Sequence, residues 1–193
     1  MADANTESAD FLDGKLLVAM PGMGDTRFER SVVFMCAHSR EGAMGLIVNK
    51  PTPELQFADL LKQLEIPIGD TGRTIDVHFG GPVEHGRGFV LHSNDYHSDD
   101  DTMEITEQFG MTATMDILRD IAKGEGPTDG LLALGYAGWG PGQLESEFRA
   151  NGWLICEARP DIIFAPDAAT KWEEALKSIG VTPSMLAAAG GSA

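Results

Sequence analysis

Two cysteines in 193 residues, at positions 36 and 156, are too few to staple a small secreted fold. The chain therefore reads as one that lives in a reducing compartment. Positive charge is also scarce: 14 Lys plus Arg stand against 30 Asp plus Glu, a formal charge of -16. Duplex DNA carries one negative charge per roughly 1.7 Å of axis, so long-range electrostatics argue against direct nucleic-acid binding. No apolar run approaches the ~18 residues of a membrane span, and the opening MADANTESAD has neither the basic region nor the apolar stretch of a signal peptide. These absences together point to the cytoplasm and to no membrane attachment. The familiar catalytic signatures are missing too: no Gly-x-Ser-x-Gly elbow, no His-Glu-x-x-His helix and no recognisable triad order. No cysteine or histidine pair has zinc-ligand spacing, and the acidic run Asn94–Asp101 lacks the order of a calcium loop, so neither metal nor cofactor is expected.

What the chain does have is glycine, 23 residues, placed between short apolar segments. That pattern predicts many turns and a sheet-rich domain rather than a helical bundle. Strands are expected at Lys15–Ala19, Ser31–His38, Ala43–Asn49, Val77–Phe79, Gly88–His92, Leu131–Tyr136, Trp153–Cys156 and Ile162–Phe164. Ser31–His38 and Ala43–Asn49 flank Ser39-Arg40-Glu41-Gly42, a polar connection of four residues that predicts a hairpin. Helices are expected where apolar residues recur every three to four positions: Phe57–Leu64, Thr114–Lys123, Gly142–Ala150, and Ala168–Ile179 with Asp167 as N-cap. Strands grouped together and interrupted by isolated helices indicate an α+β fold with a mostly antiparallel, irregular sheet. The expected organisation is a mobile acidic tail over 1–12, one domain over 13–185 and a mobile tail over 186–193.

The segment Ser31–Pro51 draws attention first, because Cys36 stands two residues before His38. In a regular strand Val32, Phe34, Cys36 and His38 share a face, with about 6.5–7 Å between successive members. The opposite face, Val33, Met35 and Ala37, is also apolar, which favours a buried, inert thiol beside a strand-end histidine. The competing reading is a reactive or redox-sensing Cys36 with His38 as neighbouring base, which would need a lowered thiol pKa. Cys156 has no basic residue close on its face and reads as a core thiol.

A second segment, Gly135–Glu145, runs from a strand through a glycine-rich turn into a helix. It lacks the Gly-Lys-Ser/Thr ending of a phosphate loop and reads as a turn with a capped helix. Trp139, set among four glycines with few local residues to cover it, is a candidate interface residue. Asp25 and Arg30 form either a structural ion pair or part of a small polar pocket. Asp25, Arg30, Asn49, Trp139, Gln143 and Glu145 are the candidate ligand or partner surface.

An ordered set of segments resembles the AlgH family of bacterial proteins, which includes the YqgE-type proteins. The matching pieces are Met20-Pro21, Asp25, Phe28, Arg30–Val33, Cys36, His38, Gly42–Pro51, Gly80–Val83, Arg87–Phe89, His92, Gly135–Glu145, Asn151, Trp153 and Leu154. They spread over roughly Leu16 to Ile179. The resemblance implies one α+β domain whose sheet folds into a pseudo-barrel with flanking helices. It implies no settled catalytic residue; members are described as transcriptional regulators through a link to alginate production. The resulting expectation is a non-enzymatic regulatory or adaptor protein that binds an unidentified protein or small ligand through the Trp139 loop and the Cys36–His38 region. A thiol-based sensor or enzyme using Cys36 with His38 is the first alternative, and a transcriptional regulator the second.

Overall fold

Continuous apolar runs build the first half of the sheet. A computed structural model describes residues 11–21, 25–69, 73–99 and 101–190. Strand β1 (Lys15–Ala19) pairs antiparallel with β2 (Val32–Ser39), and β2 with β3 (Gly42–Ile47). Both faces of this unit are covered, as continuous apolar stretches require. Leu16, Val18, Val32, Phe34 and Leu46 enter one buried cluster, while Leu17, Ala19, Val33, Met35 and Ile47 enter another on the reverse side. Full burial of side chains of this size contributes about 1.5–3 kcal/mol each.

After helix α1 (Phe57–Gln63), strands β4 (Asp76–Phe79), β5 (Val83–Ser93), β6 (Thr102–Glu104) and β7 (Phe109–Thr112) and helix α2 (Met115–Lys123) build the second half. Strand β8 (Gly130–Trp139) joins the two halves. Its residues 131–134 pair with β4 and β5, and residues 137–139 pair with β3. Between these ladders Gly135 has φ +76°, and a Cβ there would lie 2.5 Å from the Gly81 carbonyl oxygen. Only glycine permits both the left-handed backbone and the close approach, so the sheet changes direction at this residue. Helices α3 (Gln143–Arg149), α4 (Pro160–Ile163), α5 (Lys171–Ser178) and α6 (Pro183–Gly190) and edge strand β9 (Trp153–Glu157) complete the chain. The strand order among the described residues is β6-β7-β5-β8-β3-β2-β1-β9, with β4 also on β8, and the sole parallel pair is β4–β8. The result is a single domain, a curled antiparallel half-barrel with flanking helices, as the residue pattern and the resemblance led us to expect.

Several local expectations change. Ile162–Phe164, expected as a strand, falls in α4 and its end, because Pro160 opens a helical turn that buries Ile162 and Ile163. Strands β6 and β7 lie in a stretch of 98–112 that shows no clear alternation. The hairpin turn contains two residues, Arg40 and Glu41, since Ser39 already pairs with Gly42. The expected boundary at 185/186 falls within α6, and Leu186 packs against the main cluster. Of the expected tails, 1–10 and 191–193 lie outside the described residues, as do Gly22, Met23 and Gly24 of the loop before Asp25. No helix among the described residues is long and apolar enough to cross a membrane.

Candidate functional site

One irregularity in β2 decides the fate of the Cys36–His38 pair. Register with β3 shifts between Met35 and Ala37, so Cys36 is the extra residue of a β-bulge. Ala37 then stands opposite Met44, which packs with the cluster holding Cys36, while His38 stands opposite Ala43, which packs with the reverse cluster. Cys36 and His38 therefore face opposite sides of the sheet, contrary to the regular alternation assumed from sequence. The Cys36 thiol is 1% exposed, lies 3.6 Å from the Met111 sulfur and 3.9 Å from the Phe34 carbonyl, and is pushed up to about 12 by burial. A thiolate is the nucleophile, so this environment suppresses thiol chemistry. Cys156 is likewise buried and free, with its pKa raised by burial.

His38 anchors structure on the other side. Its Nδ1 accepts a bond from the Leu12 amide (3.2 Å), so Nε2 carries the proton and donates to Glu145 Oε1 at 2.7 Å. The His38 amide donates to Asp13 Oδ1, and Phe11 packs edge-on to the ring at 5.2 Å. These bonds tie residues 11–13 and the first turn of α3 to the end of β2. The Glu145 carboxyl sits below its usual range because its own backbone amide, and then His38, hydrogen-bond to it.

The remaining candidates are likewise held in structural bonds. Asp25 caps the 3-10 turn Thr26–Phe28 and pairs with Arg27 (2.8 Å), whose guanidinium lowers its pKa; it does not pair with Arg30. Arg30, at φ 55°, turns the other way and lies 4.7 Å over the Trp172 ring. Asn49 clamps the edge of β2, its Oδ1 accepting from the Val32 amide and its Nδ2 donating to the Arg30 carbonyl. Gln143 Oε1 accepts from the Gly140 amide and closes the glycine-rich turn before α3. Trp139, expected at an interface, is only 6% exposed: Phe28 and Trp153, distant in sequence, cover it at 6.4 and 6.1 Å.

The open surface lies elsewhere. Where β7 and the Arg40–Glu41 hairpin diverge, a groove of about 680 Å³ opens. Met44, Phe89, Met111 and Tyr136 form an apolar floor, with Glu41 and Arg87 as charged groups at its walls. Arg87 rests 4.9 Å over Phe89 and pairs with Glu84 at 3.7 Å, which holds its charge near the groove. Cys36 lies behind Met111, just beneath this floor. Of the sequence-derived candidates, only Trp139 borders the groove. Sequence reading missed Met44, Met111, Tyr136 and Arg87 as site residues because they come from four separate strands. The one available signal was methionine recurring on short glycine-rich strands.

A curled antiparallel half-barrel with an apolar-floored groove at its mouth, and a buried thiol beneath it, defines an α+β domain of the pseudo-barrel class. A family model described as AlgH-like matches residues 16–184, and the chain belongs to that family. A UPF0301 protein of Cereibacter sphaeroides is 55% identical over 182 residues, which cover 94% of this chain and 99% of the relative. A UPF0301 protein of Paracoccus denitrificans is 55% identical over 184 residues, 94% of this chain and 97% of the relative. The solution structure of AlgH from Pseudomonas aeruginosa superposes with a TM-score of 0.76 at 38% identity, covering all of both chains. A crystal structure of a Corynebacterium diphtheriae protein shares the fold, with a TM-score of 0.74 at 19% identity over 91% of each chain.

Proposed function

We propose that the protein is a regulatory or adaptor component that binds a protein segment or small ligand in the groove at the barrel mouth. The observation that carries this reading is the groove itself: about 680 Å³, with an apolar floor and opposite charges on its walls, in the size range of ligand sites. The scarcity of cysteine supports a cytoplasmic location for this role, and the charge of -16 favours partners other than nucleic acid. The buried Cys36, separated from His38 by the sheet, lends no support to a thiol enzyme.

Methyl-resolved NMR of the full chain tests this reading, because two of its nine methionines, Met44 and Met111, line the floor. Titration with a library of small amphipathic fragments is expected to shift these two methyl signals first, and Met44→Lys is expected to abolish the response. Fragments that bind only at other methyl groups, or none that bind at millimolar concentration, would refute the assignment of the site.

A further inference from the structure

The groove has a second half on the reverse face of the sheet. Strand β7 pairs with β5 only from Ser93↔Phe109 to Val90↔Thr112. Continuing that ladder would set Phe89 opposite Ala113 and Gly88 opposite Thr114, but the chain instead turns into α2 at Met115. The sheet is therefore left with an open slot between Gly88–Phe89 and Ala113–Thr114. An apolar pocket lies on each side of it. On one face is the large groove with Phe89 and Met111; on the other is a pocket of about 260 Å³ lined by Leu60, Leu64, Val90, Leu118, Leu132 and Leu134. Ala113 borders both.

Main-chain groups line the slot as well. Alternation along the two ladders turns the main-chain groups of Gly88 and Thr114 toward the slot, among the described residues the Thr114 amide has no main-chain partner, and Glu84–Arg87 stand opposite no residue of β7 or β8. Thr114 Oγ1 is buried at the rim of the smaller pocket without a hydrogen-bond partner, although buried polar atoms are normally satisfied. Gly86 and Gly88 put no side chain into that pocket, so the β5 backbone borders it directly.

We infer that this slot is a strand-addition site for an extended peptide with apolar residues at adjacent positions and basic flanks. Successive side chains of an extended segment point to opposite faces, which matches one apolar pocket on each face. Unpaired main-chain groups at the edge supply the hydrogen bonds, and the basic flanks complement Glu41 and the overall charge of -16, the Arg87 charge on the same groove being paired with Glu84. This deepens the proposed function and rests on the groove being the binding site.

The test uses the full 15N-labelled chain and a panel of heptapeptides of the form Lys-Lys-x-x-x-Lys-Lys, with x varied among Val, Leu, Ile and Phe. Members of the panel are expected to shift the amides of Gly88, Phe89, Ala113 and Thr114 together with the Met111 and Leu118 methyls. N-methylating alternate peptide amides keeps the side chains but removes strand pairing, and is expected to weaken binding at least tenfold. Thr114→Pro, which removes the donor facing the slot, is expected to have a similar effect; should it unfold the domain, the N-methylated peptides carry the comparison alone. Equal binding of N-methylated and parent peptides overturns strand addition and leaves the groove reading intact. So does a response of Met44 and Met111 to fragments but to no peptide. Failure of fragments and peptides alike overturns both.

Discussion

Two regions of the molecule behave in opposite ways. The interior around Cys36, His38, Trp139 and Lys171 is sealed: these side chains are 1–7% exposed, and each polar head except the weakly bonding thiol has a strong hydrogen-bond partner or an aromatic cover. The groove above Met111 is open, and its charged groups, Glu41 and Arg87, are exposed. The chemically interesting residue types are thus concentrated where solvent cannot reach, while the accessible cavity is lined by ordinary apolar ones. Reactive residue type is therefore a poor guide to site in this protein, because exposure rather than identity separates the two regions.

The strongest way to break this contrast is alkylation of Cys36 in protein carrying Cys156→Ser. With the thiol buried and its pKa pushed up to about 12, reaction requires opening of the core. The rate is expected to fall about 10⁴-fold below that of the unfolded chain, as for a group exposed only by global unfolding. Alkylation within tenfold of the unfolded rate would place Cys36 in the open region instead.

Next in size is Trp139→Ala, which empties the space between Phe28 and Trp153 and is expected to cost about 3–5 kcal/mol in urea denaturation. A loss below about 1 kcal/mol would return Trp139 to the list of surface residues.

Lys171 sharpens the comparison through pH. The residue is 1% exposed, its ammonium donates to the Val48 carbonyl at 2.8 Å, and burial lowers its pKa from 10.5 to about 8. Below pH 8 both native and unfolded chains hold the proton, and the cost of burying the charge is constant. Between pH 8 and 10.5 the unfolded chain binds more protons, so this residue's contribution to stability rises with pH, by about 3 kcal/mol in total. Comparing wild type with Lys171→Met at pH 7.5 and pH 10 isolates this term from other groups. Parallel pH profiles for the two proteins would show that the ammonium is not sealed.

The smallest expected effect belongs to the open region. Met44→Lys at the groove floor is expected to change stability by less than about 1 kcal/mol, since a partly exposed side chain can turn its charge to water. A loss of 3 kcal/mol or more would make the floor part of the core.

Much of this architecture was legible locally. Lys15–Ala19 was delimited by its apolar run, and α2 by its stripe of Ile117, Leu118 and Ile121 ending at Gly124; of the expected face Ala169, Trp172, Leu176 and Ile179, only Trp172 and Leu176 are buried in α5. Asp167 caps the turn leading into α5 by accepting from the Ala169 amide, as its residue type suggested. The strand β7 escaped because four residues, one of them glycine, carry too little alternation to be read.

The sequence by itself determined the class of fold, the acidity and the family, since each depends on composition, short-range periodicity or an ordered series of motifs. Tertiary structure alone decided where the site could be. A one-residue bulge turned His38 away from Cys36, distant aromatics closed over Trp139, and the early departure of β7 opened a slot beside β5. None of these has a local signature: each is set by how strands and side chains meet in space, and one residue of register exchanges the buried face of a strand for the opposite one.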